Sequence, residues 1–177
     1  ALINLLNVID TQKYDITLYT NFAGNPVVKS IPTYIKRVDL DEYNIKTVYS
    51  RALKEHNYRL VLAILRNYAH FRMTHNRYYK TAWLYRHINF RETEYDCVIS
   101  YKHGLSTTAI VRKAIRSKKL LLWVHGELPT LNRSYEKVLC TYDKCFCVSE
   151  YIQSYFLQHC PSMKGKTEVF HNILNAE

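Results

Sequence analysis

Leu120-Leu121-Leu122-Trp123-Val124-His125 (LLLWVH) is the stretch that decides how this chain folds. Its first five positions are apolar without alternation, the pattern of a strand buried on both faces, and His125-Gly126 closes it with a polar turn. Two other runs have the same character. Upstream, residues 96–100 (DCVIS) end near the turn His103-Gly104, and downstream, residues 144–148 (KCFCV) run into Ser149. The segments between them read as helices: Ser106 or Thr107 can cap one through Ile115, another covers about 132–141, and Ser149 caps residues 150–159. Residues 166–170 (KTEVF) form a last strand. Strands alternating with helices over short connections predict a parallel sheet with helices on both faces, a doubly wound, Rossmann-like α/β fold.

Toward the amino end, residues 14–20 (YDITLYT) alternate and are rich in β-branched and aromatic side chains, which predicts a strand. Gly24 and Pro26 break it in the loop 21–26, and a short strand around 34–38 follows Pro32. Residues 1–10 place Leu2, Leu5, Leu6 and Ile9 on one helical stripe with Asn4 and Asn7 opposite. No cap and no initiator Met precede this helix, so the sequence is expected to begin inside an element, as a fragment. A length of 177 residues suits one domain, 1–177, and no internal repeat interrupts it.

Composition narrows the classes. Hydrophobic residues are 47% and charged residues 23%, which excludes a disordered or collagen-like chain. No apolar run approaches the roughly 20 residues of a membrane span, and the opening does not read as a secretory signal. The five cysteines, Cys97, Cys140, Cys145, Cys147 and Cys160, read as reduced thiols used as small apolar residues. A metal set from Cys140, Cys145, Cys147, His159 and Cys160 is the sharper alternative, but no C-x-x-C pair supports it. The site prediction accordingly includes no metal.

The net charge of +10 is concentrated. Between Arg51 and Arg91 nine basic residues face the single acid Glu55, so this segment carries +8 of it. It interleaves Tyr58, Tyr68, Phe71, Tyr78, Tyr79, Trp83 and Tyr85 and contains no glycine, which predicts two or three helices between Ile45 and about Asn89. Three uses compete for such a surface. It is a solvated face, or it meets an anionic membrane surface, or it binds a nucleic-acid backbone. Arg59, Arg66, Arg72 and Arg77 are the candidate contact residues.

In a parallel sheet ligands bind beyond the carboxyl ends of the strands, so the turns after each strand are the candidate site. They hold His103-Gly104, His125-Gly126-Glu127, Ser149-Glu150 and His171-Asn172. The four glycines, at 24, 104, 126 and 165, build neither G-x-G-x-x-G nor a Walker loop, which disfavours a dehydrogenase or a P-loop ATPase. No G-x-S-x-G or H-E-x-x-H occurs, and the serine hydrolase and zinc protease readings fall away.

Five ordered blocks, ALINLLNVIDTQKYDITLYT, YDCVISYKHGLST, LLLWVHGELPTLN, YDKCFCVSEYIQSYF and KTEVFHNILN, resemble the amino-terminal half of retaining glycosyltransferases of the GT-B fold, the glycogen-synthase-like and mannosyltransferase-like group. The resemblance implies one of two Rossmann-like domains facing a cleft, this one receiving the acceptor and the other holding a nucleotide-sugar. It implies transfer with retained anomeric configuration, no cofactor and no tightly held metal. The family's opening strand and glycine-rich turn, and the donor-binding E-x7-E pair of its second half, have no counterpart here. By the same resemblance His125 is the catalytic candidate, contacting the transferred sugar. His103 and Gly104 match the family's turn after the preceding strand, Glu127 lies near the acceptor, Gly126 is counted with them as substrate-binding, Ser149 and Glu150 line the cleft, and Asn172 stands near the donor phosphates.

Further expectations follow from the resemblance. The partners are a nucleotide-sugar and a glycan or lipid-linked acceptor, with no specific nucleic acid. The setting is cytoplasmic, peripheral on the inner face of a membrane, in bacterial surface-polysaccharide biosynthesis. Without a central first strand, the sheet either closes imperfectly or takes a strand from a second copy in a homodimer. The rival reading is a non-catalytic α/β module that uses its basic face on nucleic acid.

Overall fold

A computed structural model describes residues 1–20, 26–40, 43–86, 94–113, 115–127 and 133–173. The expected loop at 21–25, the residues flanking Asn89 including Arg91, the helix start near 132 and the final Leu174 and Asn175 lie outside them. Seven helices and six strands are described: α1 (Leu2–Val8), β1 (Thr17–Thr20), β2 (Lys36–Asp39), α2 (Ile45–Lys54), α3 (Tyr58–Thr74), α4 (Arg77–Arg86), β3 (Glu94–Ser100), α5 (Leu105–Lys113), β4 (Arg116–Val124), α6 (Arg133–Leu139), β5 (Lys144–Cys147), α7 (Glu150–His159) and β6 (Thr167–Val169). The protein is α/β, and every strand pair is parallel.

The strands form two sheets rather than the single one expected, β1-β2 and β3-β4-β5-β6. The chain correspondingly divides into two compact units, residues 1–64 with 172–177 and residues 65–171, and the division falls inside α3. In the first unit Leu6 of α1 is buried with Ile31 and Ile35, and Leu2, Ile3, Ile16, Leu18 and Val28 pack around them. The predicted stripe is thus rotated slightly toward Ile3. Tyr34 donates its hydroxyl to the Leu6 carbonyl at 2.9 Å, and Asn4 Nδ2 donates to the Ile173 carbonyl at 3.0 Å. Asn44 caps α2, its Oδ1 accepting from the amides of Lys46 and Thr47 at 3.0 Å each.

The second unit is organised by β4. Val98 to Ser100 pair with Leu120 to Leu122, and Leu121 to Val124 pair with Lys144 to Cys147. Alternate residues of β4 and β5, namely Leu122, Val124, Cys145 and Cys147, face a core shared with Leu139, Tyr142, Ile152 and Phe156 of the helical layer. Cys145, Cys147 and Cys160 are fully buried there as free thiols, whereas Cys97 is exposed on β3 and Cys140 is half-buried. The Cys147 thiol beside it, and then burial, push the Cys145 thiol up, and burial holds that of Cys160 at about 12, so both stay protonated. Among the described residues no group of three or more His, Cys, Asp or Glu side chains is arranged to hold a metal ion.

Several boundaries differ from the sequence reading. The helix expected through Ile115 is described over Leu105–Lys113 and does not include Ile115, and β4 begins at Arg116 rather than Leu120. Pairing with β3 carries the strand back: Glu94 opposes Arg116, and Lys118 Nζ lies 2.6 Å from Asp96 Oδ1. The helix α5 starts at Leu105, which puts Ser106 and Thr107 inside its first turn instead of at its cap. The first strand shortens from 14–20 to Thr17–Thr20, because Lys13 and Tyr14 close a turn by donating to the Asp10 carbonyl. In a glycine-poor chain His56 and His75, both at φ 52°, take the left-handed positions after α2 and α3.

Phe156→Ala removes a fully buried ring from this core and is expected to cost about 3–5 kcal/mol in denaturant unfolding. Asp96→Ala breaks only a solvent-exposed pair and should leave the midpoint unchanged. A Phe156→Ala loss below about 1 kcal/mol would place the core elsewhere.

Candidate functional site

Parallel pairing brings the carboxyl ends of β3, β4, β5 and β6 to one edge, so the turns after them are neighbours. After β3 the chain runs through Tyr101 and Lys102, where the buried Ser100 hydroxyl donates to the Lys102 carbonyl at 3.1 Å. His103 then stands beside the turn after β4: its Nδ1 accepts from the His125 amide at 3.4 Å. That leaves the other ring nitrogen of His103 as the donor to the Glu127 backbone carbonyl. One neutral imidazole therefore ties two turns together.

His125 has the opposite arrangement. Its Nε2 is buried with no hydrogen-bond partner among the described residues, and the nearby Tyr101 backbone carbonyl favours a protonated ring. In the tautomer with its proton on Nδ1, Nε2 offers an unused lone pair. The Tyr101 ring lies over this imidazole at 4.6 Å between centroids, and Trp123 stacks on it at 6.2 Å with an interplanar angle of 11°. Burial lowers the affinity of both histidines for a proton; for His103 the neighbouring His125 and Lys102 act in the same direction.

The contacts continue along the edge. Glu127 Oε1 accepts the Tyr151 hydroxyl at 2.7 Å, which joins the β4 turn to α7. Ser149 caps α7 as predicted, its Oγ accepting from the Ile152 amide at 3.2 Å, and Glu150 occupies the first turn. The His171 ring lies 3.2 Å from the Val148 carbonyl at Nδ1 and 4.0 Å from Glu150 at Nε2. Gly104 accepts the Thr108 amide through its carbonyl at 3.0 Å. A Cβ on Gly126 would meet nothing within 4 Å, so open space faces that turn.

Of the predicted residues the structure brings together His103, Gly104, His125, Gly126, Glu127, Ser149 and Glu150 within the second unit. Asn172, exposed, belongs to the first unit. Arg59, Arg66 and Arg72 are exposed on α3, and Arg77 opens α4. The sequence reading places Tyr101 in the candidate turn 101–104 and Tyr151 directly after Glu150, but counts neither among the site residues. Their signal was an aromatic next to a strand-end turn. A solvent-open concavity of about 560 Å³ lies elsewhere, lined in part by Gln12, Tyr14, Tyr34 and Ile35 ahead of the amino ends of β1 and β2. It contains no histidine.

The edge carries both charge signs, with Lys102 against Glu127 and Glu150. Its equipment is a buried imidazole acceptor, two carboxylates, tyrosine hydroxyls and an aromatic face, which suits a neutral polyhydroxylated ligand better than a polyanion. No protein-family model matches this sequence, and no curated protein is significantly similar to it.

The half-buried histidines set a pH dependence. A histidine whose folded pKa lies below its ordinary value of about 6.5 makes unfolding take up a proton. Stability is therefore full above that value and falls as pH drops through it toward the folded pKa. His103→Gln is expected to flatten the acid limb of the melting temperature below about pH 6.5. An acid limb as steep as that of the parent protein would remove His103 from the account.

Proposed function

We propose that this chain is the acceptor-binding half of a retaining glycosyltransferase. In this reading the sugar passes from a nucleotide-sugar to a glycan or lipid-linked acceptor. The observation that carries the reading is the unpartnered Nε2 of His125, held between Tyr101, Trp123 and the His103 tie at the carboxyl edge of the sheet. Nε2 is closed to solvent, so a sugar hydroxyl supplies the donor it lacks once a side chain covering the imidazole swings away, and the sugar's C–H face suits the aromatic rings beside it. The five sequence blocks support the same reading. His125 would contact the transferred sugar, Glu127 and Glu150 would accept acceptor hydroxyls, and Tyr151 would hold Glu127 in place. Stabilising the developing oxocarbenium and diphosphate charge needs cationic groups and helix amino termini. The edge supplies the amino ends of α5 and α7 but little cationic charge beyond Lys102, so the donor side belongs to a second domain in this reading.

The reading sets the protein in the cytoplasm, peripheral on the inner face of a membrane, and the described helices are compatible with that. None of them is long and apolar enough to cross a bilayer. The 177-residue chain by itself is expected to show no turnover with nucleotide-sugars. It should nonetheless bind short glycans weakly, and Gly126→Ala should weaken that binding at an unchanged melting temperature, since a methyl group there meets only the ligand's space. Titration by tryptophan fluorescence against a glycan panel measures this through Trp123. Turnover by the chain alone, or steep salt-dependent binding of RNA or DNA with no glycan response, would overturn the reading in favour of the nucleic-acid module.

A further inference from the structure

The helix α3 has two apolar stripes. Val61, Ile64 and Asn67 are buried on one side, and the Asn67 amide donates to the Lys80 carbonyl at 3.3 Å. The opposite stripe is Leu62, Leu65, Ala69 and Met73, at spacings of three, four and four residues, and it faces solvent. Leu62 is 66%, Leu65 50% and Met73 84% exposed. A surface helix ordinarily turns one apolar stripe to the core and a polar face outward, so the second stripe calls for a partner of its own.

The charge around that stripe identifies the partner. By helical rotation Arg59 and Arg66 flank it on one side and Arg72 on the other, all exposed, and the 17 residues of α3 include no acid. Beside it, Lys80 of α4 sits over the rings of Phe71 at 4.5 Å and Tyr68 at 5.5 Å, and Tyr68 and Tyr79 are themselves exposed. A row of aliphatic side chains with arginines on both flanks and tyrosines at its margin demands hydrocarbon along a line and anions on either side of it. A second copy of the helix would set arginine against arginine. A nucleic-acid backbone would answer the arginines and leave Leu62, Leu65 and Met73 without burial. An anionic lipid surface answers both demands.

We infer that the outward face of α3, Leu62, Leu65, Ala69 and Met73 between Arg66 and Arg72, is a docking surface for an anionic bilayer. The helix, about 25 Å long, lies in the plane of the interface, with the aliphatic stripe below the headgroups and the arginines among them. This deepens the membrane part of the proposed function and is independent of the saccharide site.

The test is sedimentation of the 177-residue chain with vesicles of phosphatidylcholine alone and of phosphatidylcholine mixed with phosphatidylglycerol. Binding is expected only to the mixed vesicles. Arg66→Gln with Arg72→Gln should lower the partition coefficient roughly thirtyfold, two charges at about 1 kcal/mol each. Leu65→Ser with Met73→Ser should lower it more than about tenfold at unchanged charge, with circular dichroism and glycan binding preserved. Mixed-vesicle binding that survives the serine pair would overturn the inference, as would equal binding to both vesicle types. So would a dimer in light scattering that Leu65→Ser abolishes, or oligonucleotide binding without vesicle binding. Loss of glycan binding by His125 variants with vesicle binding intact would bear on the saccharide reading alone.

Discussion

The pairing of β4 with β5 is the constraint on which the rest of the second unit depends. Leu122 and Val124 on one strand and Cys145 and Cys147 on the other are fully buried, and their neighbours Trp123 and Phe146 meet at 5.6 Å on the opposite face. A strand buried on both faces has little freedom to slip, because a one-residue shift would exchange the core set for the aromatic set. Fixed register in turn fixes where each strand stops. The turns at His125 and Ser149 are adjacent because Val124 opposes Cys147, as the Val148 amide shows by donating to the Val124 carbonyl at 3.2 Å.

From that edge the arrangement of the imidazoles follows. His103 and His125 stand at the ends of neighbouring strands, and the His103 ring accepts the His125 amide while the His125 Nε2 has no partner among the described residues. Burial favours the neutral form of both imidazoles. The positive charge of the protein is concentrated in the sequence between Arg51 and Arg91, whereas the turns at the sheet edge carry Lys102, Glu127 and Glu150. These are different chemistries, and each can be removed without the other.

Much of this was legible in the sequence where one physical signal dominated. LLLWVH and KCFCV read as buried strands because both side-chain faces are apolar, and Ser149 read as a cap because a hydroxyl before a helical run has few other uses. What was not legible depended on partners distant in sequence. Arg116 to Lys119 look like a polar loop, and only pairing with Glu94 to Cys97 makes them strand. The division into two sheets was equally hidden, since strand count follows from local pattern and sheet membership does not. At the site, the residues were visible as strand-end turns, but the tie between His103 and His125 required the register. The outward stripe of α3 escaped because Val61, Leu62, Ile64 and Leu65 form one apolar run, and the sequence does not say which of them face the core.

The account rests on the free acceptor of His125, and nitrogen NMR of the labelled imidazoles tests it most directly. At neutral pH the account predicts His103 protonated only at Nε2 and His125 only at Nδ1, with the unprotonated His125 nitrogen shifting when a short glycan is added and staying still when an oligonucleotide is. A His125 ring already protonated on both nitrogens, or one that ignores the glycan and responds to the oligonucleotide, would contradict it.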